Sequence, residues 1–493
     1  MTGISVEQLS NDQRAVYDSI MRWTEQRTGM LTMGGYAGSG KSTLISLVAD
    51  RVELPAFCAY TGKATSVLRR KLAAAGIKTV GTQLRRREEE QQSLESQPFC
   101  GTIHSLIYRP CSCRDPVDVE ITKPCPECST ELKWADGVAA CSKGHRFEVA
   151  EKKFDAIAPK TIFVYAEKDE EGHCRLCGGK EWLRREALDR NYGLVIIDEA
   201  SMVDDVMLRD LREYGVPILA VGDHGQLPPV GGTGSLMREP QLRLEKIHRQ
   251  AEGNPIIALS KLIREQGRLP DSVPGDAVNF TRLKLIESLI EERYGDASPE
   301  RLLEMGIVCY TNRRRVGLNA MVRRVRGLAR TGRELPRKGE HVVCLRNIKE
   351  RGGLPPVANG MRGVLLGDAL PKPVLSPAGK KISESEVKLV GAVAFPEDEI
   401  AVRDYDMLRA QFGRDKTFSS PEELAREAGV RSFSSAGDLF DFGYAMTCHK
   451  MQGSSVKDLV GIVERPGPVS DEDWRRWLYT LVTRASEKLT LVR

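Results

Sequence analysis

The clearest chemistry lies in Gly34-Gly35-Tyr36-Ala37-Gly38-Ser39-Gly40-Lys41-Ser42-Thr43. From Gly35 the run fits G-x-x-x-x-G-K-[ST], whose glycines let backbone N–H groups close around phosphate oxygens. Lys41 would reach the β- and γ-phosphates and Ser42 would ligand Mg²⁺. Gly38, Ser39, Gly40 and Thr43 complete the cradle, and a following helix N-terminus favours the negative charge. Two adjacent carboxylates, Asp198 and Glu199, end the apolar run Gly193-Leu194-Val195-Ile196-Ile197. At the tip of a strand buried on both faces, Asp198 can hold the hydration shell of Mg²⁺ and Glu199 can activate an attacking water. Pro217 to Asp223 repeats that design and leads to Gln226. Its amide can donate to a γ-phosphate and accept from water. Arg484 sits at the edge of an apolar helical stripe of Trp474, Trp477, Leu478, Leu481 and Val482. An arginine there wants an anion, and the γ-phosphate is the candidate.

A second constellation is made of thiols. Seven of twelve cysteines fall between Cys111 and Cys177. The first ten residues contain no apolar signal region, and no apolar run is long enough to span a membrane. The expectation is therefore a soluble cytoplasmic protein with no membrane partner. In a reducing compartment clustered cysteines are read first as metal ligands. Cys125, Cys128, Cys141 and His145 have the spacing of one tetrahedral Zn²⁺ site. Cys111, Cys113, Cys174 and Cys177 flank it and would close a second, with His173 able to replace one thiol. Four ligands at each leave no open position, so two structural Zn²⁺ per chain are expected.

These groups need strands that end where ligands bind. Met30, Leu31 and Met33 lie on the strand before the phosphate loop, and Leu44 to Val48 suit a packed helix after it. Residues 5 to 22 read as an amphipathic helix carrying Gln13. Pro55 to Tyr60 is a strand ending in Thr61 and Lys63. Gly101 to Leu106 is a polar strand end with Thr102 and His104. Gly306 to Tyr310 ends in Thr311 and Asn312. Tyr444 to Lys450 offers Thr447 and His449, small donors suited to nucleic-acid phosphates. Ser470 with Asp473 has capping-box spacing. Between residues 335 and 395, Val342-Val343, Val364-Leu365-Leu366 and Val387 to Val390 alternate with Gly and Pro turns, as in a small β-barrel. The 493 residues suggest two to four domains. The net charge of +5 is too small to imply nucleic acid by itself. Basic clusters at Arg69-Arg70-Lys71, Arg85 to Arg87, Arg313 to Arg315 and Arg323-Arg324 read as solvated helix faces unless other motifs agree.

Together the stretches GYAGSGKST, AYTGKAT, TIHSL, VIIDEASMV, VGDHGQLPPV, IHRQAEGNPII, CYTNRRRVGLN, YAMTCHKMQGSS and LYTLVTRASEKLTLV, in this order, resemble superfamily 1 helicases of the RecD-like and Dda-like branch. The resemblance implies an α/β fold with two RecA-like P-loop domains and ATP between them. It adds a zinc-binding insertion in the first domain and a small SH3-like β-barrel insertion in the second. The expected boundaries are 1–108 and 186–240 for domain one, 109–185 for the insertion, 241–334 and 437–493 for domain two, and 335–436 for the barrel. By resemblance Gln13 contacts adenine, Gln226 couples the γ-phosphate to DNA, and Arg249 and Arg484 are arginine fingers. His248 stands where relatives often stack a tyrosine on adenine. Thr61, Lys63, Thr102, His104, Thr311, Asn312, Thr447 and His449 become DNA contacts, with Asn359 from Val357-Ala358-Asn359-Gly360-Met361-Arg362-Gly363, similar to a loop of that barrel. The cysteine insertion falls where the family carries a strand-separating pin. The implied activity is ATP- and Mg²⁺-dependent 5′ to 3′ translocation on single-stranded DNA with unwinding at duplex junctions, by a monomeric motor. Replication or recombination proteins are partners of unknown identity. Two alternatives stand beside it: a motor acting on RNA or on bound proteins, and a nucleotide-gated DNA-binding module without turnover.

Overall fold

The computed structural model describes residues 5–26, 29–80, 97–111, 117–128, 130–158, 160–164, 182–228, 235–246, 253–330, 335–348, 357–375, 381–396, 400–418 and 437–493. They divide into two compact units. One is Met1–Leu106 with Arg190–Arg493, the other Ile107–Asp189.

The larger unit contains two parallel sheets. The first runs in the order Leu242–Leu244, Met30–Gly35, Ile218–Gly222, Leu194–Asp198, Pro55–Ala59, Phe99–Thr102. Leu194–Asp198 and Ile218–Gly222 are buried at every residue, as a parallel sheet covered on both faces requires. The helices Asn11–Thr24 and Lys41–Ala49 give its core Val16, Ile20, Leu44 and Val48. The single helix expected over residues 5 to 22 is divided. A short turn spans Val6–Gln8, and the helix starts at Asn11 because Ser10 caps it. The Ser10 hydroxyl accepts from the Gln13 N–H, and Gln13 Oε1 accepts from the Ser10 N–H. Leu242–Leu244 lies beyond residue 240, where the motif spacing ends the first domain. Three residues are too few to show a strand period.

The second sheet runs Val278–Thr281, Ala485–Val492, Val456–Ile462, Met305–Cys309, Ala445–Thr447, again parallel. The helices Pro255–Gln266 and Asp471–Val482 share a core with it through Ile263, Trp477 and Leu481. Ser470 caps the latter helix by accepting from the Asp473 N–H. The Asp473 carboxylate bonds back to the Ser470 hydroxyl rather than to its backbone.

Between the helix Asn312–Val325 and Ala445 the chain builds antiparallel strands His341–Cys344, Arg362–Leu365, Lys381–Phe395, Ile400–Leu408 and Phe440–Phe442. Leu408 N–H to Asp438 C=O (2.9 Å) and Asp438 N–H to Asp406 C=O (2.6 Å) bring the fourth of these strands to the fifth and close a small barrel. Leu365, Leu389, Val393, Phe395, Met407 and Phe440 fill it. Its closing strand lies past residue 436, where the sequence pattern ends the insertion.

Two arginines of the basic clusters point inward rather than to solvent. Arg315 pairs with Asp441 at 2.5 Å, and fully buried Arg323 pairs with fully buried Glu340 at 2.6 Å. Both belong to the helix face that packs beside the barrel.

The smaller unit is held by two antiparallel ladders, Tyr108–Pro110 with Trp182–Arg184 and Val117–Ile121 with Lys160–Val164. Within them lies a meander of Leu132–Ala135, Val138–Cys141 and Arg146–Glu148. Its first turn is Asp136-Gly137, both at positive φ (49° and 83°), the two-residue turn that matches strand twist.

Candidate active site and nucleic-acid groups

The phosphate loop turns through Gly38 (φ 80°) and Gly40 (φ 89°), left-handed positions that suit glycine. Gly40 is the N-cap of the helix that starts at Lys41. Lys41 Nζ donates to the carbonyls of Gly35 (2.6 Å) and Tyr36 (3.1 Å). Ser42 Oγ accepts from Lys71 Nζ at 3.2 Å. Lys71 is a site residue that the motifs did not single out; its one signal was membership of the cluster Arg69-Arg70-Lys71. Ser39 is fully buried, and its carbonyl accepts from Gln13 Nε2 at 3.1 Å. Both ends of the Gln13 amide are thus bonded within the protein, one to the phosphate loop and one to its own helix cap.

A cleft of about 290 Å³ opens over this loop. Tyr36, Ala37, Gly38, Gly40, Lys41, Ser42 and Thr43 form one wall, with Lys71, Asp198, Glu199, Asp223 and Gln226 beside them; Thr483 and Arg484 come from the second sheet's side. Asp198 is buried, and its Oδ1 accepts from the Glu199 N–H at 3.0 Å. Glu199 has φ 53°, a strained backbone for a non-glycine residue, right after the strand end. Burial, and then the Asp198 carboxylate, push its carboxyl above the usual carboxylate range, while Arg484, Lys41 and Lys71 pull it down. A raised carboxyl beside a cationic cleft has the character of a general base. Gln226 is buried with Nε2 3.4 Å from Asp223 Oδ2, and its Oε1 has no hydrogen-bond partner within the protein.

Arg484 is 5% exposed. Its guanidinium donates to the carbonyls of Thr480 (3.1 Å), Met451 (3.4 Å) and Ser454 (3.0 Å) and to Thr483 Oγ1 (3.1 Å). Neutral acceptors fix its direction without cancelling its charge, which is available to a phosphate. His248 and Arg249 lie outside the described residues. Sequence reasoning also missed Tyr36, His224, Arg264 and Tyr479, which pack together at the cleft. The Tyr36 ring lies 4.1 Å from that of His224, and the Arg264 guanidinium sits 3.3 Å from the Tyr36 centroid.

The strand-end residues come together in pairs. Ala59 is in register with Thr102, which places Thr61 and Lys63 beside Thr102 and His104. Cys309 is in register with Thr447, which places Thr311 and Asn312 beside Thr447 and His449. Each pair stands at the outer strands of its own sheet. Thr61 and Thr311 are also helix N-caps, accepting from the Ala64 and Arg314 N–H groups. Lys63 is buried. The Asn359 N–H donates to Asn347 Oδ1 on the barrel, in a loop that packs on the Thr61–Lys63 turn: a Cβ on Gly62 would come 2.2 Å from that of Ala358. On the other side a Cβ on Gly453 would lie 2.9 Å from that of Ala64. First sheet, second sheet and barrel loop therefore meet around residues 61 to 64.

In the smaller unit, Cys125, Cys128, Cys141 and His145 have all ligand atoms within 4.8 Å of one another. His145 Nδ1 is 3.3 Å from Cys128 Sγ, 3.5 Å from Cys141 Sγ and 3.6 Å from Cys125 Sγ, and Cys128 to Cys141 is 3.6 Å. A tetrahedron with metal–sulfur bonds of about 2.3 Å has edges of about 3.8 Å, so the set fits one Zn²⁺. Glu127 Oε2 lies 3.2 Å from His145 Nε2, which leaves Nδ1 to face the thiols. Hydrogen bonds from the hydroxyl and backbone of Thr130 lower the Cys128 thiol to about 7, favouring the ligating thiolate. Of the flanking set only Cys111 is described, and it is buried; Cys113, His173, Cys174 and Cys177 lie outside the described residues.

Among the described residues no helix is long and apolar enough to cross a membrane. Residues 18–232 match the model of an AAA domain, and residues 442–492 match that of a UvrD-like helicase C-terminal domain. Similar solved structures include a Pif1 helicase from Bacteroides in complex with ADP-AlF3 and single-stranded DNA (15% identity, 97% of this chain and 91% of that chain covered, TM-score 0.43). Others are two coordinating Pif1 helicases at forked duplex DNA (16%, 98% and 92%, 0.44) and the Pif1 helicase from Candida albicans (15%, 98% and 94%, 0.41). The two matched domains include every residue that walls the cleft, Lys41 to Gln226 in one and Arg484 in the other; the chain carries an AAA domain and a UvrD-like helicase C-terminal domain and is an ATP-hydrolysing helicase.

Proposed function

We propose that this helicase translocates 5′ to 3′ on single-stranded DNA and separates duplex ahead of it, as a monomer, with Mg²⁺ and ATP. One observation carries the reading: the barrel loop at Ala358 and the second-domain turn at Gly453 both pack on residues 61 to 64, at the end of a first-sheet strand, while elements of the same two domains wall the nucleotide cleft. A change in their spacing driven by hydrolysis would then be felt by a bound strand. Lys41, Ser42 and Asp198 hold the phosphates and Mg²⁺, Glu199 takes the proton of the attacking water, and Arg484 meets the charge that develops on the transferred phosphoryl group. Arg249 is assigned the same task, and His248 the adenine face. Strand displacement on duplexes with only a 5′ or only a 3′ tail tests polarity. Unwinding from the 5′ tail alone is expected, and unwinding from the 3′ tail alone would reverse the assignment. ATPase stimulated by RNA but not by DNA would move the activity to the RNA motor.

The insertion is assigned one structural Zn²⁺ at Cys125, Cys128, Cys141 and His145 and a second at Cys111, Cys113, Cys174 and Cys177. A small unit has little core of its own, and a bound metal would stabilise its fold directly. Elemental analysis is expected to give about two zinc atoms per chain by the four-ligand rule. One atom would retain the inner site only, and none would remove both. As a strand-separating wedge, the insertion can be lost without loss of the motor. Cys125→Ser with Cys128→Ser should keep DNA-stimulated ATPase and lose unwinding, whereas equal loss of both would make it a support of the core fold.

A further inference from the structure

The loop that carries Gln226 belongs to the first sheet but is bonded on both sides by the second domain. Leu227 N–H donates to Thr480 Oγ1 at 3.0 Å, and Leu227 C=O accepts from Gln452 Nε2 at 2.9 Å. The Leu227 side chain is part of the second sheet's core, with Trp477 and Leu478. Upstream of Gln226, Asp223 Oδ2 accepts from the Tyr479 hydroxyl at 2.6 Å, and the same oxygen accepts the long 3.4 Å contact from Gln226 Nε2. The Tyr479 hydroxyl in turn accepts from the backbone N–H of Ala37, within the phosphate loop, at 3.1 Å. A single oxygen of the second domain therefore touches the phosphate loop directly and reaches Gln226 through Asp223.

The contact is enclosed: Tyr479 and Asp223 are each 1% exposed. Burial and the neighbouring Asp223 carboxylate push the Tyr479 phenol well above its ordinary value, so it remains the donor to that carboxylate. Gly225 admits the ring, since a Cβ there would lie 3.0 Å from Tyr479 Cε1. If the second domain withdraws, Asp223 loses its shortest donor, and Gln226 is the neighbouring group able to replace it. Gln226 would then turn from the cleft toward Asp223.

We propose that the Tyr479 hydroxyl is a positioning group for hydrolysis: it keeps Asp223 satisfied, and so leaves Gln226 aimed at the γ-phosphate, only while the second domain is closed on the phosphate loop. This deepens the helicase reading above and rests on it. Closure of the domains and alignment of the γ-phosphate sensor become one event, because the same hydroxyl makes both contacts.

The test is steady-state ATPase of the full chain, with and without single-stranded DNA, for the unaltered protein, Tyr479→Phe, Gln226→Ala and the double variant. Tyr479→Phe removes one oxygen and keeps the ring. It should lower the DNA-stimulated kcat about tenfold, the scale of one hydrogen bond to a charged group, with KM for ATP changed less than about twofold. In the Gln226→Ala background the same substitution should have no further effect, because the hydroxyl acts through Gln226. A purely structural tyrosine would give additive losses, and that result overturns the proposal, as does a kcat within about twofold of the unaltered protein. Unaltered protein without DNA-stimulated turnover would remove the helicase reading and this proposal together. If Tyr479→Phe does not fold, Gly225→Ala takes its place: it displaces the ring and keeps every polar group. A several-fold lower kcat that vanishes in the Gln226→Ala background is expected, and an unchanged kcat overturns the proposal.

Discussion

Two arginine–glutamate sets sit inside this molecule and are used in opposite ways. Arg323 and Glu340 are both fully buried and bond to each other twice, at 2.6 and 3.1 Å. Arg484 and Glu199 share a cleft, yet Arg484 is held by carbonyls and a hydroxyl. The first set is neutralised and fixes the helix Asn312–Val325 beside the barrel. The second keeps a cation and a carboxylate unspent at one opening, where a nucleotide and its water can use them. Burial alone separates neither set from the other; the partner does.

The largest effect expected from breaking the second set is at Glu199. Glu199→Gln keeps the shape and removes the base, so turnover should fall by about 10³-fold or more while ATP still binds. Near-normal hydrolysis in a phosphate-release assay would take the base role from Glu199. Arg484→Ala should lower DNA-stimulated turnover by on the order of 10³ with little change in ATP affinity, because its charge is needed most in the transition state. Normal turnover would make Arg484 a scaffold for the Met451–Ser454 turn and nothing more. Arg323→Met inverts the pattern. It strands Glu340 without its cation and should cost about 3 kcal/mol of stability, read as a lower melting temperature, while kcat of the folded protein stays near normal. A catalytic defect without destabilisation would erase the contrast between the two sets.

The same contrast explains what was legible in the sequence. Lys41, Asp198, Glu199 and Gln226 are legible because a glycine loop and apolar strands ending in polar residues have a local spacing. The structure gathers them with Arg484 at one cleft. The meander cysteines and His145 are legible for the same reason: four ligands at finger-like spacing. Arg323 and Arg315 were not, because a run of arginines on a helix looks solvated until the barrel brings Glu340 and Asp441 against it. Tyr479 was hidden inside an apolar helix; its partner Asp223 lies 256 residues away, and only tertiary packing joins them. The strand Leu242–Leu244 and the closing strand Phe440–Phe442 are too short to carry a period.

The smallest expected effect sharpens the comparison most, because it reads the Glu199 carboxyl without removing it. Burial and Asp198 raise that carboxyl, and Arg484, Lys41 and Lys71 lower it. A general base works when deprotonated, so turnover should fall on acidification through a pH above the ordinary glutamate value of about 4.3. Lys71→Met removes one of the three opposing cations. The deprotonated form loses an attraction, the carboxyl rises further, and the acid limb of the kcat profile should move to higher pH. The alkaline plateau should change little, measured at saturating Mg²⁺ because Lys71 also bonds Ser42 Oγ. Glu340 offers the control within the same chain. It too is raised by burial, but it takes no part in turnover, so Arg323→Met should leave the acid limb where it is. A Lys71→Met limb that stays in place or moves to lower pH would mean that the group titrating in turnover is not Glu199.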